Sequence, residues 1–252
     1  MTPDSFHAAS RVDVDAALRS TESMLNAGAG IIDIGGASSR PGAMEVAADL
    51  ELERVLPVIE ALVARFPTVL LSIDTYRANV AKAAVESGAC IVNDIGAGTL
   101  DDRMLGTVGD LGVPYIAMHM QGIPTSMQRD PSYVDVATEV TLFLSQRMHA
   151  ARDAGIADVV LDPGFGFGKT TAHNFALLRA LDRVNALGAP VLVGLSRKRM
   201  INEVLGTTPE EALNGTSVLN TIALMHGASI LRVHDVKEAV ECLKLVGALD
   251  RS

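Results

Sequence analysis

The sequence predicts an α/β fold in which parallel strands are joined by crossover helices. Three observations lead there. Short, near-continuous apolar runs recur along the 252 residues, and such runs suit strands buried on both faces of a parallel sheet. Each run is followed by a longer amphipathic stretch, and a regular β-then-α alternation calls for crossover helices. Polar residues cluster just after the runs, the position where a β/α barrel builds its active site.

The elements follow in chain order. A helix is expected over residues 13–27, stopped at Gly28 as a C-cap. Strands are expected at 30–34, 69–74, 90–94, 114–119, 159–162, 191–195 and 230–233. Helices are expected at 51–65, 78–87, 102–111, 133–154, 171–187, 213–226 and 235–246, with a short helical turn near 198–205. Within 51–65, Leu52, Val55, Leu56, Ile59, Leu62 and Val63 form one helical stripe. A closed barrel and an open doubly wound sheet both satisfy this alternation. About 250 residues is the usual size of one α/β barrel. The first element is a helix, and one strand before Met1 would complete eight β/α units. The expectation is therefore a (β/α)8 TIM barrel lacking its first strand, as a single domain over residues 1–252.

Composition narrows the function classes. Hydrophobic residues make up 48%, aromatics only 4%, and Trp is absent, so the core must be aliphatic. The net charge of −9 argues against a broad nucleic-acid footprint. Cys90 and Cys242 fit no metal or redox spacing and cannot make a disulfide framework. No apolar stretch reaches membrane-spanning length, and the first residues lack the pattern of a signal peptide. A cytoplasmic protein without nucleic-acid or membrane partners is expected.

The strand-end clusters carry the candidate chemistry. They are Asp33 to Arg40, Asp74-Thr75, Asn93-Asp94, His119 to Gln121, Asp162 to Lys169, Ser196 to Lys198, and Arg232 to Asp235. Any one of these acids can be a helix N-cap; seven clusters in matching positions favour a site. The run Pro163-Gly-Phe-Gly-Phe-Gly-Lys-Thr170 resembles a phosphate loop but has Pro where that pattern needs Gly, and its glycine spacing is not that of a dinucleotide fold. A backbone approached closely by a flat ligand, with Phe165 or Phe167 as a wall, fits better. Lys198 at a strand end reads as a Schiff-base former, a solvated lysine or an ion-pair partner. Arg232 and His234 alternate onto one face of the last strand. With Arg40 they make an anion site, unless they serve a structural ion pair. The histidines show no zinc spacing.

Taken together, Thr2-Pro-Asp-Ser-Phe6, Ile32-Asp-Ile-Gly-Gly-Ala-Ser-Ser-Arg-Pro-Gly42, Ser72-Ile-Asp-Thr75, Val92-Asn-Asp-Ile95, Met118-His-Met-Gln-Gly122, Leu161-Asp-Pro-Gly-Phe-Gly-Phe-Gly-Lys169, Gly194-Leu-Ser-Arg-Lys198 and Leu231-Arg-Val-His-Asp-Val236 closely resemble the dihydropteroate synthase family. The resemblance runs in order from residue 2 to about residue 246. It implies an eight-stranded barrel that joins 6-hydroxymethyl-7,8-dihydropterin pyrophosphate to 4-aminobenzoate in folate biosynthesis, with Mg2+, as a homodimer and a sulfonamide target. It also implies roles. Asp74, Asn93 and Asp162 would accept hydrogen bonds from the pterin's N–H groups, which suits carboxylates and an amide. Lys198 would donate to the carbonyl side of the ring, and Arg232 would lie flat on it. Ser39, Arg40, Arg232 and His234 would surround the pyrophosphate. Phe6, Pro41, Phe167 and Ser196 would border the aminobenzoate pocket. Asp74, Asp162, Lys198, Arg232 and His234 would form the catalytic set.

The sequence departs from the family pattern in two places. The family's Mg2+-contacting Asn would precede Met1, so no metal ligand is assigned, and a chain starting at Met1 is expected to be poorly soluble or inactive. The loop after the first expected strand reads Ala37-Ser-Ser-Arg40 where Glu-Ser-Thr-Arg is common. A pterin-binding methyltransferase is the nearest rival class, disfavoured by the Arg40, Arg232 and His234 set. A non-catalytic pterin-binding paralogue or fragment is the other.

Overall fold

The computed structural model describes residues 11–37, 46–123 and 127–249, without the side chains of residues 11–13. Phe6, Ser39, Arg40 and Pro41 of the expected site lie outside the described residues. Two compact units emerge, one from residues 1–117 and 147–159, the other from 118–146 and 160–252.

The first unit is a parallel ladder of β1 (Ile31–Gly35), β2 (Leu70–Asp74), β3 (Ile91–Asp94) and β4 (Tyr115–Met118). These match the expected strands at 30–34, 69–74, 90–94 and 114–119. The intervening helices are α1 (Arg11–Asn26), α2 (Ala48–Arg65), α3 (Ala78–Glu86) and α4 (Met104–Leu111). Ile32, Ile34, Leu71, Ile73 and Val92 are buried, as are Val55, Ile59 and Leu62 on α2 and Val80, Ala81 and Ala84 on α3. Burying each large aliphatic side chain contributes about 1.5–3 kcal/mol, so this stripe fixes which face of α2 turns inward. Leu52, Leu56 and Val63 of the expected stripe flank the buried line rather than join it. Gly112 ends α4 at φ 64, ψ 30, a left-handed cap that suits glycine.

The register places chemistry at the strand ends. Gly35 lies beside Asp74, and Asp74 beside Asn93. The loop after β1 is pinned from α2: Arg54 Nη1 donates to the Gly36 carbonyl at 2.8 Å. A Cβ on Gly36 would stand 2.8 Å from Glu51 Cγ, so the helix packs against bare backbone.

The second unit carries the end of β5 (Val159–Asp162), then β6 (Leu192–Val193) and β7 (Ile230–Leu231). Leu161 bridges to Val191, and Leu192 and Val193 pair in parallel with Ile230 and Leu231. Its helices are α6 (Thr171–Arg179), α7 (Leu181–Asn185), α8 (Arg199–Leu205), α9 (Leu213–Met225) and α10 (Val236–Leu249); α5 (Val136–Asp153) lies between β4 and β5 in the chain. α8 occupies the helical turn expected near 198–205.

Two expectations change here. The strands expected over 191–195 and 230–233 shrink to two residues each. After Gly194 the chain curls into a turn, with the Lys198 N–H donating to the Leu195 carbonyl at 3.2 Å, so the last apolar residues leave the ladder. The single helix expected over 171–187 is two, broken at Ala180 (φ −106, ψ 21). Leu177, Leu178, Leu181 and Val184 stay buried across the break, which is why the periodicity reads as one helix. No helix among the described residues is long and apolar enough to cross a membrane.

Candidate active site

In the second unit three strand ends present polar groups. β5 delivers Asp162, which is buried; its Oδ1 accepts from the Gly164 N–H at 2.7 Å. Burial is the largest influence on this carboxyl and raises its pKa above the ordinary 3.8. The positive charges of Arg232, Lys198 and Lys169 and the Gly164 hydrogen bond oppose that rise. β6 leads to Ser196, buried, and Lys198, the N-cap residue of α8. Burial and the like charge of Arg232 pull Lys198 down from 10.5 to about 7, with Asp162 opposing. β7 leads to Arg232 and His234.

Lys198 lies against the loop after β5. Its Nζ donates to the Phe165 carbonyl and sits 4.7 Å from the centre of the Phe167 ring. A Cβ on Gly166 would meet Lys198 Cδ at 3.2 Å. Phe167 is buried and Ser196 shares its strand end with Lys198, so the two residues assigned to the aminobenzoate pocket that are described lie in the same unit as Lys198. The backbone of the Gly-rich run is thus approached closely by the Lys198 side chain, where the sequence suggested a flat ligand.

The ends of β6 and β7 are clamped together. Arg197, at φ 58, makes a bidentate pair with Asp235, Nε to Oδ2 at 3.0 Å and Nη2 to Oδ1 at 2.6 Å. Two parallel charge-assisted hydrogen bonds give directional hold. Ser196 Oγ lies 2.9 Å from His234 Nδ1 and accepts from the His234 backbone N–H at 3.3 Å. A Ser196 proton donated to Nδ1 goes with the tautomer that carries its hydrogen on Nε2, whereas an Nδ1–H donated to Ser196 leaves Nε2 as an acceptor. Burial, Arg197 and Arg232 lower the His234 pKa, with Asp235 opposing, so the ring is neutral at pH 7.

The first unit carries its own strand-end acids and amide. Asp74 and Asn93 are buried. Asn93 Nδ2 donates to the Asp33 carboxylate at 3.3 and 3.4 Å. Asp94, grouped with Asn93 on sequence, has a different task. It accepts from the Gly96 and Gly98 N–H groups at 2.8 and 2.6 Å and from the Tyr115 hydroxyl at 2.7 Å. It shapes the turn after β3 and is fully buried, so it serves the fold.

The family model for pterin-binding enzymes matches residues 1–234. The dihydropteroate synthase of Escherichia coli K12 is 44% identical over 251 residues, covering 98% of this chain and 88% of that protein. The chain belongs to the dihydropteroate synthase family. A Streptococcus pyogenes dihydropteroate synthase is 43% identical, over 99% of this chain and 92% of the relative. Among solved structures, the Yersinia pestis dihydropteroate synthase with a sulfonamide drug aligns at TM-score 0.93 and 44% identity over 100% of this chain and 92% of that one. The Xanthomonas albilineans dihydropteroate synthase with 4-aminobenzoic acid aligns at TM-score 0.91 and 44% identity over 100% of this chain and 90% of that one. The fold class is that of dihydropteroate synthases, the parallel β/α barrel type, and the chain is a transferase of this family.

Sequence reasoning missed the residues beneath the dihydropteroate synthase glycine loop. Lys169 and Asn174 are buried and hold that loop from below. The phosphate-loop pattern already fails on sequence; the three buried acceptors of Lys169 Nζ show what its side chain does instead.

Proposed function

We propose that this chain condenses 6-hydroxymethyl-7,8-dihydropterin pyrophosphate with 4-aminobenzoate to give 7,8-dihydropteroate and pyrophosphate. The observation that carries the reading is one buried carboxylate, Asp162, set among Lys198, Arg232 and Lys169. An aminopyrimidinone edge supplies the N–H donors that such a carboxylate lacks. Lys198 donates to the ring's carbonyl side, and Arg232 offers a flat guanidinium to its face. Asp74 and Asn93 are assigned as further acceptors for the pterin on the family pattern. Arg232 and His234 are assigned to the pyrophosphate, with Ser39 and Arg40. Phe167 and Ser196 are assigned to the aminobenzoate, with Phe6 and Pro41. The match through residues 1–234 without a break supports one pterin-binding domain.

In the reaction the bond between the pterin methylene and the pyrophosphate oxygen breaks, and its electron pair leaves with pyrophosphate. The electron-rich dihydropterin delocalises the methylene cation, which the Asp162 carboxylate stabilises electrostatically. The aminobenzoate nitrogen attacks that carbon and then loses a proton. A lysine with a pKa near 7 suits Schiff-base chemistry, but this sequence of bonds needs no protein nucleophile, so Lys198 is a binder.

Among the described residues no three His, Cys, Asp or Glu side chains converge as a metal site. A hard cation that keeps its waters and binds through substrate phosphates needs no such cage, so Mg2+ is proposed to enter on the pyrophosphate. A homodimer is proposed too. Val218, Ile222 and Met225 form an exposed apolar line on α9, the kind of surface an isologous interface covers. The two free thiols suit a cytoplasmic setting.

Calorimetry tests the pterin assignment. Asp162→Ala removes a charge-assisted acceptor worth about 1.5–3 kcal/mol. Pterin affinity is expected to fall at least tenfold, and near-native affinity would remove Asp162 from the site.

A further inference from the structure

Lys169 is a deeply buried cation in the second unit, and the proposed reaction gives it no contact with substrate. It is 3% exposed. Its Nζ lies 2.9 Å from the Gly164 carbonyl oxygen, 3.0 Å from the Phe167 carbonyl oxygen and 2.9 Å from His119 Nδ1. An ammonium has three N–H donors, and here three acceptors meet them one for one. The first two acceptors are the start and the third quarter of the loop 164–168. The third belongs to His119, which follows β4 and whose backbone N–H donates to the Asp162 carbonyl at 2.9 Å.

That loop is what Lys198 rests on, through the Phe165 carbonyl and the Phe167 ring. It is held by other groups as well: the Gly166 N–H donates to Asn174 Oδ1 at 2.8 Å, and the Tyr133 hydroxyl donates to the Gly168 carbonyl at 2.9 Å. Asp162 also holds the loop, through the Gly164 N–H, and Lys169 spans it by donating to both the Gly164 and the Phe167 carbonyl. We propose that Lys169, held by His119, is a positioning residue that fixes the glycine loop under Lys198 and supplies a buried positive charge to Asp162. It touches no substrate and acts through these two neighbours. The proposal rests on the assignment of Asp162 and Lys198 to the pterin.

The charges around the pair support this division of labour. Asp162 faces Arg232, Lys198 and Lys169; Lys169 faces Asp162 and Lys198. His119, between Phe143 at 4.9 Å and Tyr133 at 6.2 Å, is driven by burial and by Lys169 to a pKa of about 3. It therefore stays neutral and serves as an acceptor. Burial lowers the Lys169 pKa well below 10.5 while the Asp162 carboxylate opposes that fall, the counterpart of the positive charge that Lys169 presents to Asp162. Removing that charge removes one of the groups that hold the Asp162 pKa down. The carboxylate is then lost at a higher pH, so the acid limb of pterin binding moves upward.

The experiment is pterin calorimetry from pH 4.5 to 8 on wild type and Lys169→Met, with thermal melts alongside. A lost buried hydrogen bond corresponds to about tenfold in an equilibrium constant. Pterin Kd is expected to rise about tenfold at pH 7 and the acid limb to shift to higher pH. A lower melting point with unchanged Kd and unchanged limb would make Lys169 purely structural and overturn the proposal. Should the Met variant fail to fold, His119→Phe decides. That change keeps a ring and deletes one acceptor of Lys169, so it must raise the pterin Kd; an unchanged Kd in a folded variant overturns the proposal. Wild type that does not bind pterin would overturn the functional reading and this proposal with it.

Discussion

At the residue scale, charge state decides what each group can do. His234 is the cleanest case. Its ring is neutral at pH 7, held below its ordinary pKa first by burial, so the contact with pyrophosphate assigned to it would come from a neutral ring rather than a cation. A neutral hydrogen bond is worth about 0.5–1.5 kcal/mol. His234→Ala should therefore weaken the pyrophosphate-bearing pterin only about three- to tenfold at pH 7. The plain hydroxymethyl pterin should be nearly unaffected, and the difference between ligands should widen as the pH falls and the ring gains a proton. Calorimetry with both ligands reads this directly; equal losses for the two would separate His234 from the pyrophosphate. Arg232 is a poorer probe, because its assigned contacts include the pterin ring as well.

At the element scale, the loop between β5 and α6 carries the most constraint per residue. Gly164 has φ 67, and a Cβ there would stand 1.8 Å from the His119 carbonyl oxygen. Gly188 has a similar φ of 77 but nothing within 4 Å of its Cβ direction. The two alanine variants separate strain from collision. A left-handed non-glycine residue costs about 1–3 kcal/mol, so Gly188→Ala should lower the melting point by about 2–10 °C. Gly164→Ala must also displace the loop from His119. It should cost more stability than Gly188→Ala and, unlike it, should weaken pterin binding. Equal pterin affinity in the two variants would mean that the loop backbone does not set the site. Most elements were readable in the sequence because buried parallel strands are apolar throughout and the helices carry a 3.6-residue stripe. What was not readable was termination without punctuation. Neither Gly nor Pro marks Ala180, where α6 ends, and β6 stops where Gly194 begins a turn rather than where hydrophobicity stops. The direction of Lys169 was also hidden, because a lysine beside glycines looks alike whether it faces solvent or three buried acceptors.

At the scale of the whole molecule, the sequence is acidic, with a net charge of −9, while the assigned chemistry needs an anion to bind and depart. The resolution is local. Lys169, Lys198 and Arg232 lie within electrostatic reach of Asp162, and the strong burial of this group makes each charge count for more than it would at the surface. The strand-end positions of Asp162, Lys198, Arg232, Ser196 and His234 were legible in the sequence, because a β/α fold delivers the residues after its strands to its working face; their assigned roles came from the family resemblance. Second-layer residues such as Asn174 and Tyr133 carry no such positional signal. Turnover tests the account most directly. The purified protein is given 6-hydroxymethyl-7,8-dihydropterin pyrophosphate and 4-aminobenzoate, and dihydropteroate and pyrophosphate are measured with Mg2+ and with a chelator. The account predicts the two products in equal amounts with Mg2+, and a much slower reaction once the cation that accompanies the pyrophosphate is removed. Tight pterin binding without any dihydropteroate formed in the presence of Mg2+ would contradict it.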